Sequence, residues 1–322
     1  MRHALCMVAS ALLISALTVS PALAEPRPNS AGQPTEWVEV FAEDGTIQQV
    51  KIPKRAQPRT SFAVPPPANV TALQQTGPSA QRFDLVFVGD GYTSSELGLF
   101  HAHAAEKWAF LQTVEPFRTY KNSFNVWMVD VISPQSGVDN DPTQGISRNT
   151  ALGMGFWCGG TERLLCVNEN AARAYAANAP QADQILALGN STKYGGAGGG
   201  VATASGGNTS SGWIVAHELG HSMADLADEY DYPYGRYTGG EPYEQNVSVY
   251  PAETQRDYRL KWYQHLGQPT PDGGVIGTYE GARYYLYGIY RPSENSLMRS
   301  LGRPFNTIGL NAMIRAIRAK TG

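Results

Sequence analysis

The stretch Trp213–Tyr230, WIVAHELGHSMADLADEY, contains the residue types that zinc chemistry requires. His217 and His221 are four residues apart among good helix formers, and on a helix this spacing places both imidazoles on one face, one turn apart. Two imidazoles placed in this way can bind one Zn²⁺, and Glu218 between them can act as a base on a metal-bound water. The HExxH pattern alone also occurs on solvated helices. The apolar run at 213–215 favours a buried active-site helix here.

A third ligand is needed, because a catalytic zinc takes three protein ligands and leaves one position for water. Asp228, seven residues after His221, is the nearest candidate. A straight helix would carry it roughly 10 Å farther along the axis, so ligation requires the helix to end and the chain to turn back near 224–227. Glu229 is a rival, and the alternative for the Asp228–Glu229 pair is an acidic helix end that binds Ca²⁺ or solvent. More distant candidates are Glu241, Glu244 and Glu280.

HELGHSMADLADEY resembles the active-site segment of the IgA-peptidase family, the secreted metalloendopeptidases typified by the clostridial IgA protease. The resemblance extends to FDLVFVGDGYTSSE (83–96), FNVWMVDVISPQSGVD (124–139) and YEGARYYLYGIYRPSENSLMRSLGRPF (279–305). It implies a metzincin-like zinc endopeptidase over residues 80–320.

The same resemblance implies a role for Met298, in a Met-turn beneath the zinc ligands; taken alone, this residue is ordinary core filler. Metzincins turn at a glycine after the second histidine and place the third ligand six residues after that histidine. Those two positions hold Ala224 and Ala227 here, so Asp228 departs from the pattern by one residue.

Apolar runs predict strands at 82–89, 124–132 and 184–188, with helices at 94–114 and 168–179 between them. The β–α–β order predicts a mixed, mostly parallel twisted sheet in an α/β (α+β) fold. The zinc-peptidase domain is expected over 81–322. Its upper subdomain would span 81–230, and its lower, irregular C-terminal subdomain 231–322, ending in a helix at 309–320.

The segment 193–212 is rich in glycine. No Gly-Lys-Ser/Thr follows, which disfavours a phosphate loop. Metzincins carry the edge strand of the sheet just before the active-site helix. Unpaired edge groups there can bind an extended peptide by strand addition, and glycines permit close backbone approach. The candidate substrate-binding residues are therefore Gly198, Gly199, Gly200 and Val201, and a mobile loop is the alternative.

Residues 1–24 have the pattern of a secretory signal peptide, with a basic start and a small-residue cleavage site ending at Ala24. Their apolar core is too short for a membrane span. We therefore expect a secreted or periplasmic protein. Residues 25–80 are rich in proline, and alternation over 37–54 around Asp44-Gly45 predicts a β-hairpin. The segment would be a remnant of a β domain or a pro-like segment, with an extended linker over 56–80.

Cys158 and Cys166 are expected to form a disulfide in an oxidising compartment. Metal ligation by them is the less favoured alternative, because no histidine lies nearby in sequence. The net charge of −3 and the 16% of charged residues indicate no basic patch, so nucleic acid is not an expected partner.

The expected function is peptide-bond hydrolysis on a protein or peptide substrate. Zinc would lower the pKa of its water, and Glu218 would remove the proton and deliver it to the leaving amine. One alternative is an exported binding protein with a structural zinc closed by a fourth protein ligand. Another is a zinc hydrolase acting on cell-wall peptides. No tyrosine can be assigned to the oxyanion by motif, because Ser300 holds the position two residues after Met298.

Overall fold

The computed structural model of the protein describes residues 34–54 and 64–322, and the predicted signal peptide lies outside these ranges. The strands within them are β1 (Thr35–Phe41), β2 (Ile47–Pro53), β3 (Val70–Gln74), β4 (Phe83–Asp90), β5 (Phe124–Val129), β6 (Gln184–Gly189), β7 (Gly196–Ala197), β8 (Ala202–Ser205), β9 (Tyr234–Arg236), β10 (Tyr279–Ala282) and β11 (Tyr285–Arg291). The α-helices are α1 (Leu97–Leu111), α2 (Phe117–Tyr120), α3 (Glu169–Ala176), α4 (Gly212–Ala224), α5 (Ala252–Tyr258) and α6 (Thr307–Thr321).

A six-stranded sheet in the order β3-β5-β4-β6-β8-β7 forms the centre of the fold. β4 pairs in parallel with β5 and β6, and β6 pairs in parallel with β8. The edge strands β3 and β7 are antiparallel to their neighbours. β5 is buried along its whole length, which explains why it is an apolar run without alternation. The predicted α/β class with a mostly parallel sheet is confirmed.

Each face of this sheet has its own core. Successive strand residues point to opposite faces, so Leu85 and Phe87 of β4 pack with α1, α4 and α6, whereas Val86 and Val88 pack with α3. α4 is buried on nearly all sides, lying between the sheet and α6. Helix α4 is therefore held by packing on most of its surface.

The expectation of an extended linker over 56–80 is wrong for residues 70–74. These residues form β3, which pairs antiparallel with β5, and Gln74 Nε2 donates to Phe124 O at 2.9 Å. The pairing satisfies the backbone groups along the outer side of β5, and this gain depends on the assembled sheet rather than on local composition.

Residues 35–53 form an antiparallel hairpin, β1–β2, with Phe41 opposite Ile47 next to the turn. Gly45 has a φ of +89°, which glycine adopts without strain, and Asp44 Oδ1 accepts a hydrogen bond from the Thr46 amide. Phe41 and Ile47 are buried in the same core as α4, while Ile52 packs on the loop that the Cys158–Cys166 disulfide closes. The hairpin is thus docked on the domain.

The C-terminal part contains a second, smaller sheet in the order β10-β11-β9. Arg283 and Tyr284 form the turn between β10 and β11, both with positive φ, of 50° and 74°. Their amides donate to Asp228 O and Tyr230 O, each at 2.9 Å. This sheet therefore holds Tyr284 against the segment that follows α4. Within the described ranges, no helix has the length and apolarity needed to cross a bilayer.

Candidate metal centre

The two histidines of α4 face each other, as the four-residue spacing predicts. Their Nε2 atoms are 3.0 Å apart. His217 Nδ1 lies 3.1 Å from Leu297 O, and His221 Nδ1 lies 2.6 Å from Leu226 O. A carbonyl oxygen only accepts, so each Nδ1 carries a proton. When the rings are neutral, each Nε2 therefore has the lone pair that a metal requires.

The turn after α4 brings Asp228 back to the histidines. The helix ends at Ala224, and Asp225 adopts the left-handed conformation (φ 49°, ψ 40°) with its amide donating to His221 O. Asp228 Oδ1 then lies 3.4 Å from His217 Nε2 and 3.3 Å from His221 Nε2. The left-handed residue is at 225 rather than 224, and the acidic donor is at 228 rather than 227. Both are displaced by one residue, so the spacing between turn and donor is kept.

The outer oxygen of Asp228 is held by a tyrosine. Tyr284 donates its hydroxyl to Asp228 Oδ2 at 2.6 Å, while the buried Oδ1 has no hydrogen-bond partner among the described residues. Burial opposes ionisation of Asp228, but electrostatic attraction to the neighbouring His221 and His217 rings holds its pKa well below the usual range. The result is an ionised carboxylate with one oxygen directed at the histidines.

A fourth donor comes from β1 of the hairpin. Glu39 Oε2 lies 3.4 Å from His217 Nε2 and 3.8 Å from His221 Nε2, and Tyr230 donates to Glu39 Oε1 at 2.6 Å. Donor atoms of Glu39, His217, His221 and Asp228 all lie within 4.8 Å of one another.

This donor set fits a tetrahedral zinc. Bonds of about 2.0–2.2 Å would separate tetrahedral ligands by about 3.4 Å. The distances between the histidine nitrogens, and from them to the carboxylate oxygens, are 3.0–3.8 Å. Ca²⁺, which takes six to eight oxygen ligands, does not fit two imidazoles and two carboxylates.

The electrostatics of the centre also favour a cation. Burial alone would lower the pKa of His221, but the Asp228 carboxylate raises it to about 9. Burial has the same effect on His217, and its contacts with Asp228 and Glu39 raise the pKa well above its usual value. Two carboxylates thus draw positive charge to the point where the Nε2 atoms meet.

Glu218 lies beside this centre without being one of its donors. It is buried, and its Oε1 has no hydrogen-bond partner among the described residues. Burial, with the nearby Glu39 carboxylate, raises the pKa of Glu218 to about 7. The carboxyl group lines a cleft of about 470 Å³ together with His221, Asp228 and Tyr284.

The glycine-rich segment also lines this cleft. Gly198, Gly199 and Gly200 line it directly after the edge strand β7. A Cβ on Gly198 would lie 2.5 Å from Glu218 Oε2, so the backbone approaches the carboxylate as closely as only glycine allows. Val201 was the other substrate-binding candidate from the sequence. Its side chain does not face the cleft, because it is buried in the core on the α3 side of the sheet.

Glu229, the rival third ligand, points away from the centre. Its oxygens accept hydrogen bonds from Asn246, Ser296 and Asn306, and its backbone amide donates to Met298 O at 2.7 Å. Burial raises the pKa of Glu229 to about 7, although these hydrogen bonds lower it. Glu229 therefore braces the turn at 296–298 and is excluded from the donor group.

The more distant candidates have other partners. Glu241 pairs with Lys261, Glu244 pairs with Arg283, and Glu280 accepts from the Gly288 amide.

Met298 lies beneath the two histidines. A Cβ on Gly220, which stands just before His221 on α4, would be 2.7 Å from Met298 Sδ. The preceding residue, Leu297, supplies the carbonyl that His217 Nδ1 contacts. The turn at 296–298 thus supports the helix from below, where the resemblance implies a Met-turn.

Sequence reasoning missed three residues of the centre: Glu39, Tyr230 and Tyr284. Tyr230 ends the motif HELGHSMADLADEY and Tyr284 lies in the stretch 279–305, but no spacing rule indicates which hydroxyl reaches the site. Glu39 carries no local signal, since it is one polar residue in an alternating strand.

The matching family is IgA Peptidase M64, whose model aligns with residues 71–273 and 268–317. A search of curated proteins finds no match to the chain. The match covers the sheet, α4 and the turn at 296–298, and leaves the hairpin β1–β2 outside. More than half of the chain matches a peptidase family of metalloenzymes, and the structure contains a group of donors that can hold a metal. The chain belongs to the IgA peptidase M64 family.

Proposed function

We propose that this protein is a zinc endopeptidase with a metzincin-like site in which His217, His221 and Asp228 hold the metal. The observation that carries the proposal is Glu218, a buried carboxyl group that borders the donor group without joining it. A structural metal site has no use for such a group, whereas hydrolysis needs one beside the attacking water.

Glu218 and Tyr284 have different roles in this mechanism. Glu218 takes a proton from the attacking water and passes it to the leaving amine nitrogen, so one carboxyl group serves as base and then as acid. Its pKa of about 7 suits both roles. When bound, Zn²⁺ supplies a Lewis acid for the peptide carbonyl and lowers the pKa of a water toward neutrality. Tyr284 fixes the Asp228 carboxylate and so orients its inner oxygen.

The cleft suits an extended peptide. The outer side of β7 is already bridged at Gly196 by Leu164, but the glycines that follow β7 line the cleft beside Glu218. A substrate strand can lie along the backbone of these glycines, with its scissile bond held over the carboxylate. The proposal therefore includes Gly198–Gly200 as a backbone binding site for protein substrates.

The protein would act after export. The signal-like residues 1–24 and the Cys158–Cys166 disulfide favour an oxidising compartment, outside the cell or in the periplasm.

The experiment that tests this proposal measures zinc by elemental mass spectrometry and hydrolysis of a mixture of unstructured peptides. We expect about one zinc per chain, and we expect chelation by dipicolinate to remove it, to abolish hydrolysis and to lower Tm, because the metal binds only the folded state. The Glu39→Gln chain is assayed in parallel, since Glu39 also faces the centre. A folded protein without zinc, or hydrolysis that survives complete zinc removal, would reject the proposal.

A Gly198→Ala substitution tests the geometry of the cleft. The new Cβ would lie 2.5 Å and 2.6 Å from the two Glu218 carboxylate oxygens, so either the loop or the carboxylate must move. A displacement of about 1 Å can cost about 10²-fold in rate, and we expect kcat/KM to fall by that amount with zinc retained.

The matched control for this variant is Gly98→Ala on α1, where nothing lies within 4 Å of the added Cβ. Unchanged kcat/KM in the Gly198→Ala chain would show that the loop does not constrain Glu218.

A further inference from the structure

Glu39 gives the centre one donor more than a hydrolytic zinc site uses. A catalytic zinc keeps three protein ligands and one open position, whereas structural sites are closed by four. His217, His221 and Asp228 supply three donors, and Glu39 Oε2 is the fourth, 3.4 Å from His217 Nε2. In this arrangement a protein carboxylate stands where the attacking water belongs.

This fourth donor comes from outside the region shared with the family. The family match begins at residue 71, and the hairpin 35–53 precedes it. The other three donors lie on α4 and the turn that follows it, inside the match. Glu39 therefore lies outside the part of the chain that matches the peptidase family.

The same strand also covers the cleft. Glu36, Trp37 and Val38 line it together with Glu39, and Gly198–Gly200 line the same cleft. β1 lies beside the edge strand β7, and the Trp37 ring packs edge-on against Tyr234 with ring centroids 5.5 Å apart. β1 thus narrows the part of the cleft that an extended substrate would need.

The docking is held by burial as well as by polar contacts. The Phe41 ring packs edge-on against His217 at 5.6 Å, and Ile52 lies against Gly159 of the disulfide loop. At the turn, Gly45 O accepts from the Leu301 amide at 2.9 Å. Tyr230 donates to Glu39 Oε1 and so orients Oε2 toward the histidines. Burial of the apolar side chains of Phe41, Ile47 and Ile52 favours the covered state.

We propose that Glu39 is an internal ligand that takes the fourth position at the metal and, with β1, keeps the peptidase latent. This inference rests on the proposed function. It differs from the alternative of a permanently closed structural zinc in one respect: Glu218 stays buried beside the centre, ready for chemistry once β1 leaves.

The test uses a small peptide hydroxamate, which binds zinc only where a position is open. Full mature chains of wild type, Glu39→Gln and Glu43→Gln are compared by calorimetric titration after their zinc content has been measured. Glu43 is exposed at the tip of the same hairpin, so its variant makes the same charge change away from the centre. Glutamine retains the shape of Glu39, and Phe41, Ile47 and Ile52 keep the hairpin docked.

We expect one zinc in all three chains and hydroxamate binding about tenfold tighter, or more, in Glu39→Gln alone, because an occupied position lowers apparent affinity by the open fraction. Equal affinity in all three zinc-loaded chains would overturn latency and leave the proposed function intact. Loss of zinc from Glu39→Gln alone would make Glu39 a structural ligand and would also overturn latency. Absence of zinc from wild type would instead reject the proposed function.

Discussion

Replacing Glu218 with glutamine should lower kcat/KM for peptide hydrolysis by about 10²–10⁴-fold, the range that a general acid–base group contributes. Glutamine has the same shape but can neither take nor deliver a proton. Glu218 is not one of the metal donors, so zinc should stay at about one per chain. Rates are measured in both the wild-type and Glu39→Gln backgrounds, because the Glu39 carboxylate covers the same centre.

The control for this experiment is Glu169→Gln. Glu169 lines the same cleft and loses the same charge, but it pairs with Arg173 and lies outside the donor group. We expect its kcat/KM to change little. If Glu218→Gln kept near wild-type turnover, Glu218 would be removed from the chemistry. If it lost zinc, the carboxylate would be a ligand instead.

The arrangement of the three side chains on α4 could be predicted because it is local. His217, Glu218 and His221 lie on a single helix turn, and helical spacing alone sets their relative positions. The rise of 1.5 Å per residue required α4 to end before Asp228 could ligate, and the helix does end at Ala224. The buried strands β4, β5 and β6 could also be predicted from the sequence, because burial on both faces requires unbroken apolar runs.

Features that depend on docking could not be predicted. Glu39 and Glu36 are both acidic residues of one strand, and only the packing of the hairpin against α4 directs Glu39 to the histidines. Tyr284 is one of several tyrosines in its segment. It is selected by a turn with two positive φ values, which local sequence without glycine does not indicate. β3 likewise exists because β5 offers it an edge to pair with.

Removing His221 should have the largest effect on the metal. Its Nε2 lies 3.0–3.8 Å from each of the other three donor atoms, so the His221→Ala variant loses a central ligand. In the wild-type chain three donors would remain, including Glu39, and we expect weaker zinc binding. In the Glu39→Gln background only His217 and Asp228 remain, and zinc should fall from about one per chain to near zero after dialysis.

A series of variants with graded effects on zinc affinity tests this prediction. Tyr284→Phe removes the hydroxyl that holds Asp228 Oδ2. Loss of such a supporting hydrogen bond typically costs 10–100-fold in metal affinity. We therefore expect the zinc affinity of this variant to lie between those of wild type and His221→Ala. The control is His265→Ala, because the His265 ring contacts Gln268 away from the centre, and we expect zinc binding to be unchanged in this variant.

Zinc retained at wild-type affinity in the His221→Ala, Glu39→Gln double variant would contradict the ligand assignment. The coupling between those two substitutions measures how strongly Glu39 binds the metal, because a carboxylate that merely lay nearby would not change the cost of losing His221.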